Sequence, residues 1–112
     1  MQPLENQLVK LFGFKTLKKK QKEVIQSIMD GRDTLAMLPT GTGKTLCFQM
    51  PGYLLDGLVI IISPLLALMQ DQVEQMKAKG EKRVASLNSF LTKQERDRVI
   101  RSFHLLKFLY IS

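Results

Sequence analysis

The residues Pro39-Thr40-Gly41-Thr42-Gly43-Lys44-Thr45 put glycines, a lysine and hydroxyl groups in an order suited to holding phosphate. Glycines at 41 and 43 let the backbone wrap closely and aim successive N–H groups inward. A helix starting at Lys44 would add the positive end of its dipole, completing a cradle for the β- and γ-phosphates of a nucleotide. Within it Lys44 would place its ammonium between the phosphates, and the Thr45 hydroxyl would ligate Mg²⁺. Lys44 and Thr45 are therefore the candidate catalytic residues, with Thr45 also the metal ligand. Thr40, Gly41, Thr42, Gly43 and Leu46 join them as candidate nucleotide contacts. The pattern G-x-x-x-x-G-K-[ST] asks for glycine at position 38, where this chain has Leu38.

Such a loop works only between a strand and a helix, and the flanking sequence supplies both signals. Thr34-Leu35-Ala36-Met37-Leu38 is a short apolar run that reads as a buried strand. Lys44 to Tyr53 reads as the following helix, with Pro51 and Gly52 expected to end or bend it. Upstream, Leu4, Leu8, Leu11 and Phe12 recur at helical spacing. Val24, Ile25, Ile28 and Met29 form a second amphipathic pattern, stopped by Asp30-Gly31. Downstream, Leu58 to Ile62 is β-branched and apolar on both faces, as in parallel sheets covered by helices on each side. Leu65, Leu68, Met69, Val73 and Met76 make a helical stripe expected to face a core. Val84 to Leu87 is a weak strand, and Thr92-Lys93-Gln94-Glu95 is a capping-box pattern ahead of a helix reaching about Phe103. Leu105 to Ile111 carries the last strand signal. The alternation predicts an α/β fold, largely parallel, with right-handed crossovers.

At 112 residues the chain is one domain at most. No apolar run approaches the ~20 residues that cross a bilayer. The first six residues lack the basic-then-apolar profile of a secretory signal, and the single cysteine, Cys47, has no internal partner. These features place the expected location in the cytoplasm. Seventeen Lys and Arg against ten Asp and Glu leave a net charge of +7, which favours polyanionic partners. A solvated basic surface is the plain alternative. Lys18, Lys19, Lys20 and Lys22 form one basic cluster; Lys77, Lys79, Lys82 and Arg83 a second; Arg96, Arg98 and Arg101 a third. Without interleaved aromatics none has the composition of a base-stacking platform. His104 stands alone and reads as structural.

Four further segments carry a resemblance to RecQ-family DNA helicases of superfamily 2. Helicases of that superfamily commonly open the phosphate loop with a residue other than glycine, as Leu38 does. Leu11-Phe12-Gly13-Phe14 with Gln21 and Glu23-Val24-Ile25 resembles the segment preceding the loop. The likeness implies that Phe14 stacks near adenine, that Gln21 bonds the adenine edge, and that Lys18 stands where the family has a nucleotide-contacting arginine. Lysine keeps that charge but loses the planar fork; Lys19 and Lys20 also replace a common Pro-Gly. Leu46-Cys47-Phe48-Gln49-Met50-Pro51 is similar to the family's run after the loop, where Cys47 reads as a small core residue. Ser63-Pro64-Leu65-Leu66-Ala67-Leu68-Met69-Gln70-Asp71-Gln72 and Leu87-Asn88-Ser89 resemble segments lying along single-stranded DNA. This makes Ser63, Gln70, Asn88 and Ser89 candidate DNA contacts.

The resemblance implies a partial RecA-like domain, ATP and Mg²⁺ as cofactors, and DNA unwinding in the 3'-5' direction. The implied partners are DNA and a second motor domain of the same parent chain, and the implied setting is a bacterial nucleoid. Hydrolysis in this class needs an Asp-Glu-x-His motif after an apolar strand: Asp for Mg²⁺, Glu for the attacking water. Neither strong strand here runs into an acidic pair. Residues 1–112 are thus expected to be the first part of motor domain 1, truncated before that motif and inactive alone. Two rivals stay open: a non-catalytic module that binds nucleotide or DNA, and another phosphate-loop enzyme such as a nucleoside kinase.

Overall fold

The computed structural model describes residues 17–38 and 43–112. The first helical pattern, Phe14, and Thr40, Gly41 and Thr42 lie outside the described residues. The chain divides into two compact units, Met1–Leu55 and Asp56–Ser112.

In the first unit, helix α1 spans Lys19–Met29. It ends where expected, at Asp30 followed by Gly31 with φ +79°. That left-handed turn strains any residue bearing a Cβ. Helix α2 spans Lys44–Leu54. Ile25 of α1 and Met50 of α2 are buried together with Leu17, and Met29, Leu46 and Leu54 pack around them. Pro51 lies inside α2 rather than ending it. In the last turn a proline forfeits one N–H, while its own carbonyl still accepts the N–H of Leu55 at 2.8 Å.

Residues 32–38 form no strand, which corrects the reading of Thr34–Leu38 as buried. Leu35 is 89% exposed and Met37 86%. A strand exists only by hydrogen bonding to a neighbour, and no strand occurs among the described residues of this unit.

The second unit contains β1 (Val59–Ile62), α3 (Leu66–Ala78), β2 (Val84–Leu87), α4 (Lys93–Arg101), a 3₁₀ turn (Phe103–Leu105) and β3 (Phe108–Ile111). Its strands form a parallel sheet in the order β1-β3-β2. The register aligns Ile62, Ile111 and Leu87 across the three strands. Phe108, Leu109 and Tyr110 of the central strand are buried. Met69, Val73 and Met76 form the buried stripe of α3, and the Tyr110 hydroxyl reaches the Met76 sulfur at 3.7 Å.

Leu65 and Leu68, expected in that stripe, are exposed. Leu65 precedes the helix as its N-cap, and Leu68 lies ~100° around the helix from Met69. The β1 strand is likewise not covered on both faces. It lies at the edge of the sheet among the described strands, and Ile62 is 79% exposed. Among the described residues no helix is long and apolar enough to cross a membrane.

Candidate functional site

The nucleotide candidates that are described lie in the first unit, where α1 and α2 present their N-termini. Gly43 is the N-cap of α2, in the left-handed conformation at φ +75°, ψ +47°. Among the described residues no side chain caps this helix end, and its first turn holds no acidic residue. The first amide N–H groups of a helix have no intrahelical acceptor, so this end offers donors to an anion. Lys44, exposed at the first helical position, adds positive charge where the dipole is already positive. That arrangement is unfavourable by itself and becomes favourable when a phosphate is present. Thr45 follows, half-buried, and Leu46 faces the core beside Met50.

Gln21, on the first turn of α1, connects the two helix starts. It is buried. Its Oε1 accepts the backbone N–H of Lys18 at 2.9 Å, and its Nε2 donates to the carbonyl of Gly43 at 3.2 Å. An amide oxygen has two lone pairs and an amide nitrogen two hydrogens. Gln21 thus ties the start of α1 to the N-cap of α2 through both ends of its amide. A Cβ built on Gly43 would collide with Gln21 Nε2. Position 43 thus favours glycine for its backbone angle, and a side chain there would also force the Gln21 amide to shift. Sequence spacing could not reveal the second effect, because it joins residues 22 apart in the chain.

Lys18, Lys19 and Lys20 are exposed beside this site. They leave the first turn of α1 basic and free of acidic residues. Cys47 is buried one helical turn beyond Gly43, its thiol directed to the Gly43 carbonyl at 3.9 Å. Burial pushes this thiol above the ordinary cysteine value, which disfavours the reactive thiolate. The core reading of Cys47 stands.

The nucleic-acid candidates lie in the second unit, at or after the C-terminal ends of the strands. The ladder continues past β1, with the Ser63 N–H donating to the Ile111 carbonyl at 2.9 Å. The Ser63 hydroxyl oxygen accepts the Leu65 N–H at 3.2 Å, holding the turn into α3. Gln70 is exposed on α3. Asn88 leaves β2, and its Oδ1 accepts the Phe90 N–H at 2.9 Å; Ser89 is exposed beside it. The register brings the loops after β1 and β2 to the same end of one sheet, separated by β3. In open α/β sheets ligands bind at that end. His104 is exposed, and among the described residues no group of three His, Cys, Asp or Glu could hold a metal ion.

Residues 18–111 match the DEAD/DEAH box helicase family. The chain is 58% identical over its whole length to RecS of Bacillus subtilis, a probable ATP-dependent DNA helicase. It is 41% identical, over 94% of its length, to the ATP-dependent DNA helicase RecQ of Haemophilus influenzae. Over 96% of its length it is 36% identical to the ATP-dependent helicase wrn-1 of Caenorhabditis elegans. It spans 23%, 17% and 10% of those relatives' lengths respectively.

Proposed function

This chain belongs to the DEAD/DEAH box helicase family, and from that premise we propose that it carries the ATP-binding part of a RecQ-type DNA helicase. In this reading it also supplies part of the single-stranded DNA track. The observation that carries the proposal is the uncapped, acid-free start of α2, with Gly43 in the left-handed conformation and Lys44 next to it. Free helix N–H groups beside a lysine favour an anion such as phosphate. Similarity to named DNA helicases over the whole chain supports the choice of nucleic acid as the second partner.

The α2 amides and the Lys44 ammonium hold the β- and γ-phosphates. The Thr45 hydroxyl takes one position on Mg²⁺, and Gln21 reads the adenine edge while steadying the Gly43 carbonyl. Phe14 and Lys18 complete the nucleotide contacts. Bound Mg·ATP supplies the phosphoryl bond whose hydrolysis powers movement along one DNA strand. Ser63, Gln70, Asn88 and Ser89 contact that strand, and a second motor domain of the parent protein closes on the nucleotide. The work is done in the cytoplasm, at the chromosome.

The test is Lys44→Ala in the full-length protein. The variant should retain its fold by circular dichroism and lose DNA-stimulated ATP hydrolysis and unwinding. Unwinding at the unaltered rate would overturn the assignment.

A further inference from the structure

Phe90 is the most exposed aromatic side chain among the described residues, at 76%. Full exposure of a phenyl ring to water is unfavourable, and at this position it is not the result of a loose segment. The Phe90 N–H donates to Asn88 Oδ1 at 2.9 Å, and the Leu91 N–H donates to the Asn88 carbonyl at 3.3 Å. Asn88 thus closes the turn from both its side chain and its backbone, and the ring stands on a fixed support. Immediately beyond, Thr92 caps α4, whose first turn presents the exposed cations Lys93 and Arg96 on either side of Glu95, whose carboxylate accepts the Thr92 N–H.

The position matters as much as the exposure. Phe90 follows β2 at the end of the sheet where the Ser63 turn follows β1, and the register puts one strand, β3, between them. The two turns are then two strand spacings apart, ~10 Å. A single-stranded nucleic acid crossing this end would meet hydroxyl and amide groups at Ser63, Asn88 and Ser89. It would then meet one aromatic face flanked by cations. Backbone donors and cations recognise phosphate, whereas an exposed aromatic ring recognises the π-face of a base. The exposed aliphatic residues of this unit, such as Ile60 and Ile62, cannot do that.

We infer that Phe90 is a base-stacking residue, which holds one unpaired base of a single strand bound across the C-terminal end of the sheet. The inference rests on the DNA reading above and adds to it a contact with the base, insensitive to sequence because every base has a π-face. The charge clusters set affinity for the phosphates; Phe90 sets the difference between a strand with bases and one without.

The experiment uses the full-length protein, a fluorescent oligothymidylate, and an abasic deoxyribose-phosphate oligomer of equal length. Equilibrium binding is followed by anisotropy. Phe90→Ala should weaken oligothymidylate binding about tenfold, while leaving abasic binding and the melting temperature unchanged. Phe90→Trp should restore the oligothymidylate affinity. Equal binding of oligothymidylate by Phe90→Ala and the unaltered protein would overturn the inference, as would an equal loss on both oligomers. Failure of the unaltered protein to bind either oligomer would sink the DNA reading and this inference with it. Binding of both oligomers, with no preference removed by Phe90→Ala, leaves the DNA reading standing and removes Phe90 from it.

Discussion

Gly43 shows how a single position can be constrained from two sides. Its φ of +75° penalises any Cβ, and the Gln21 amide occupies the place where that Cβ would go. Gly43→Ala is therefore expected to cost ~1–3 kcal/mol of stability and to weaken nucleotide binding. Denaturant unfolding and a fluorescent-nucleotide titration would measure the two effects. Adding Gln21→Ala should recover the steric part and leave the backbone part, so the double variant falls short of additivity. Strict additivity would mean that the contact is not energetic. Gln21→Ala alone removes the acceptor for Lys18 N–H and the donor to Gly43. Because Gln21 is buried, the loss should be ~1–3 kcal/mol. If Gln21 also reads adenine, the variant should lose affinity for ATP more than for inorganic triphosphate; equal losses would confine it to a structural role. These residue-level roles were only partly legible beforehand. The glycine and lysine spacing announces a phosphate loop, but the bond from Gln21 to Gly43 depends on the packing of α1 against α2.

At the scale of elements, α4 shows a helix specified almost wholly by local chemistry. None of its residues is buried, so packing contributes little and the N-terminal cap carries unusual weight. Thr92 Oγ1 accepts the Glu95 N–H at 3.1 Å, and Glu95 Oε1 accepts the Thr92 N–H at 2.9 Å. Thr92→Ala should destabilise this segment by ~1 kcal/mol, read as faster amide hydrogen exchange through residues 93–101. Unchanged exchange would show that the cap is idle. The Thr92 backbone N–H, and after it the Thr92 side chain, hold the Glu95 carboxyl below its ordinary value. A depressed carboxylate contributes stability that is present above the ordinary glutamate range and lost as pH falls through the lowered folded value. Fraying of α4 is thus expected only in acid, and a loss of protection on raising the pH would contradict it. The capping box was readable because it needs four consecutive residues and nothing else. By the same logic the helical period of α3 predicted Met69, Val73 and Met76 as buried, with Leu65 outside the helix and Leu68 off its stripe, while of the α1 pattern only Ile25 is buried and Met29 packs beside it.

The whole molecule introduces facts that no window of sequence contains. The last strand in the chain, β3, lies in the middle of the sheet, and the first, β1, is at its edge. Local β-propensity cannot tell these apart, because both read as apolar runs. Burial separates them: Phe108, Leu109 and Tyr110 are enclosed, while Ile60 and Ile62 are exposed. Truncation at the centre should therefore cost more than at the edge. Phe108→Ala is expected to lose ~3–5 kcal/mol, and Ile62→Ala less than 1 kcal/mol. Comparable losses by chemical denaturation would refute the observed order. The net charge of +7 predicts a whole-molecule property as well. DNA affinity should fall steeply with salt, with a log–log slope that counts the phosphates neutralised. A flat salt response would point away from a phosphate-tracking surface.

What the amino-acid order determined by itself was everything settled within a few residues. That includes the phosphate-loop spacing, the glycine stop after α1, the capping box of α4, the β-branched run of β1 and the basic excess. Each follows from the chemistry of neighbours along the chain, as did the segments around Gln21, Cys47, Ser63 and Asn88 that carried the likeness to DNA helicases. Tertiary structure alone decided which strand is interior and that residues 34–38 take no strand partner among the described residues. It alone bonded Gln21 to Gly43 and brought the turns after β1 and β2 to the same end of the sheet. These outcomes depend on which distant segments meet, and loop closure between distant segments has an entropy cost that local propensity does not encode.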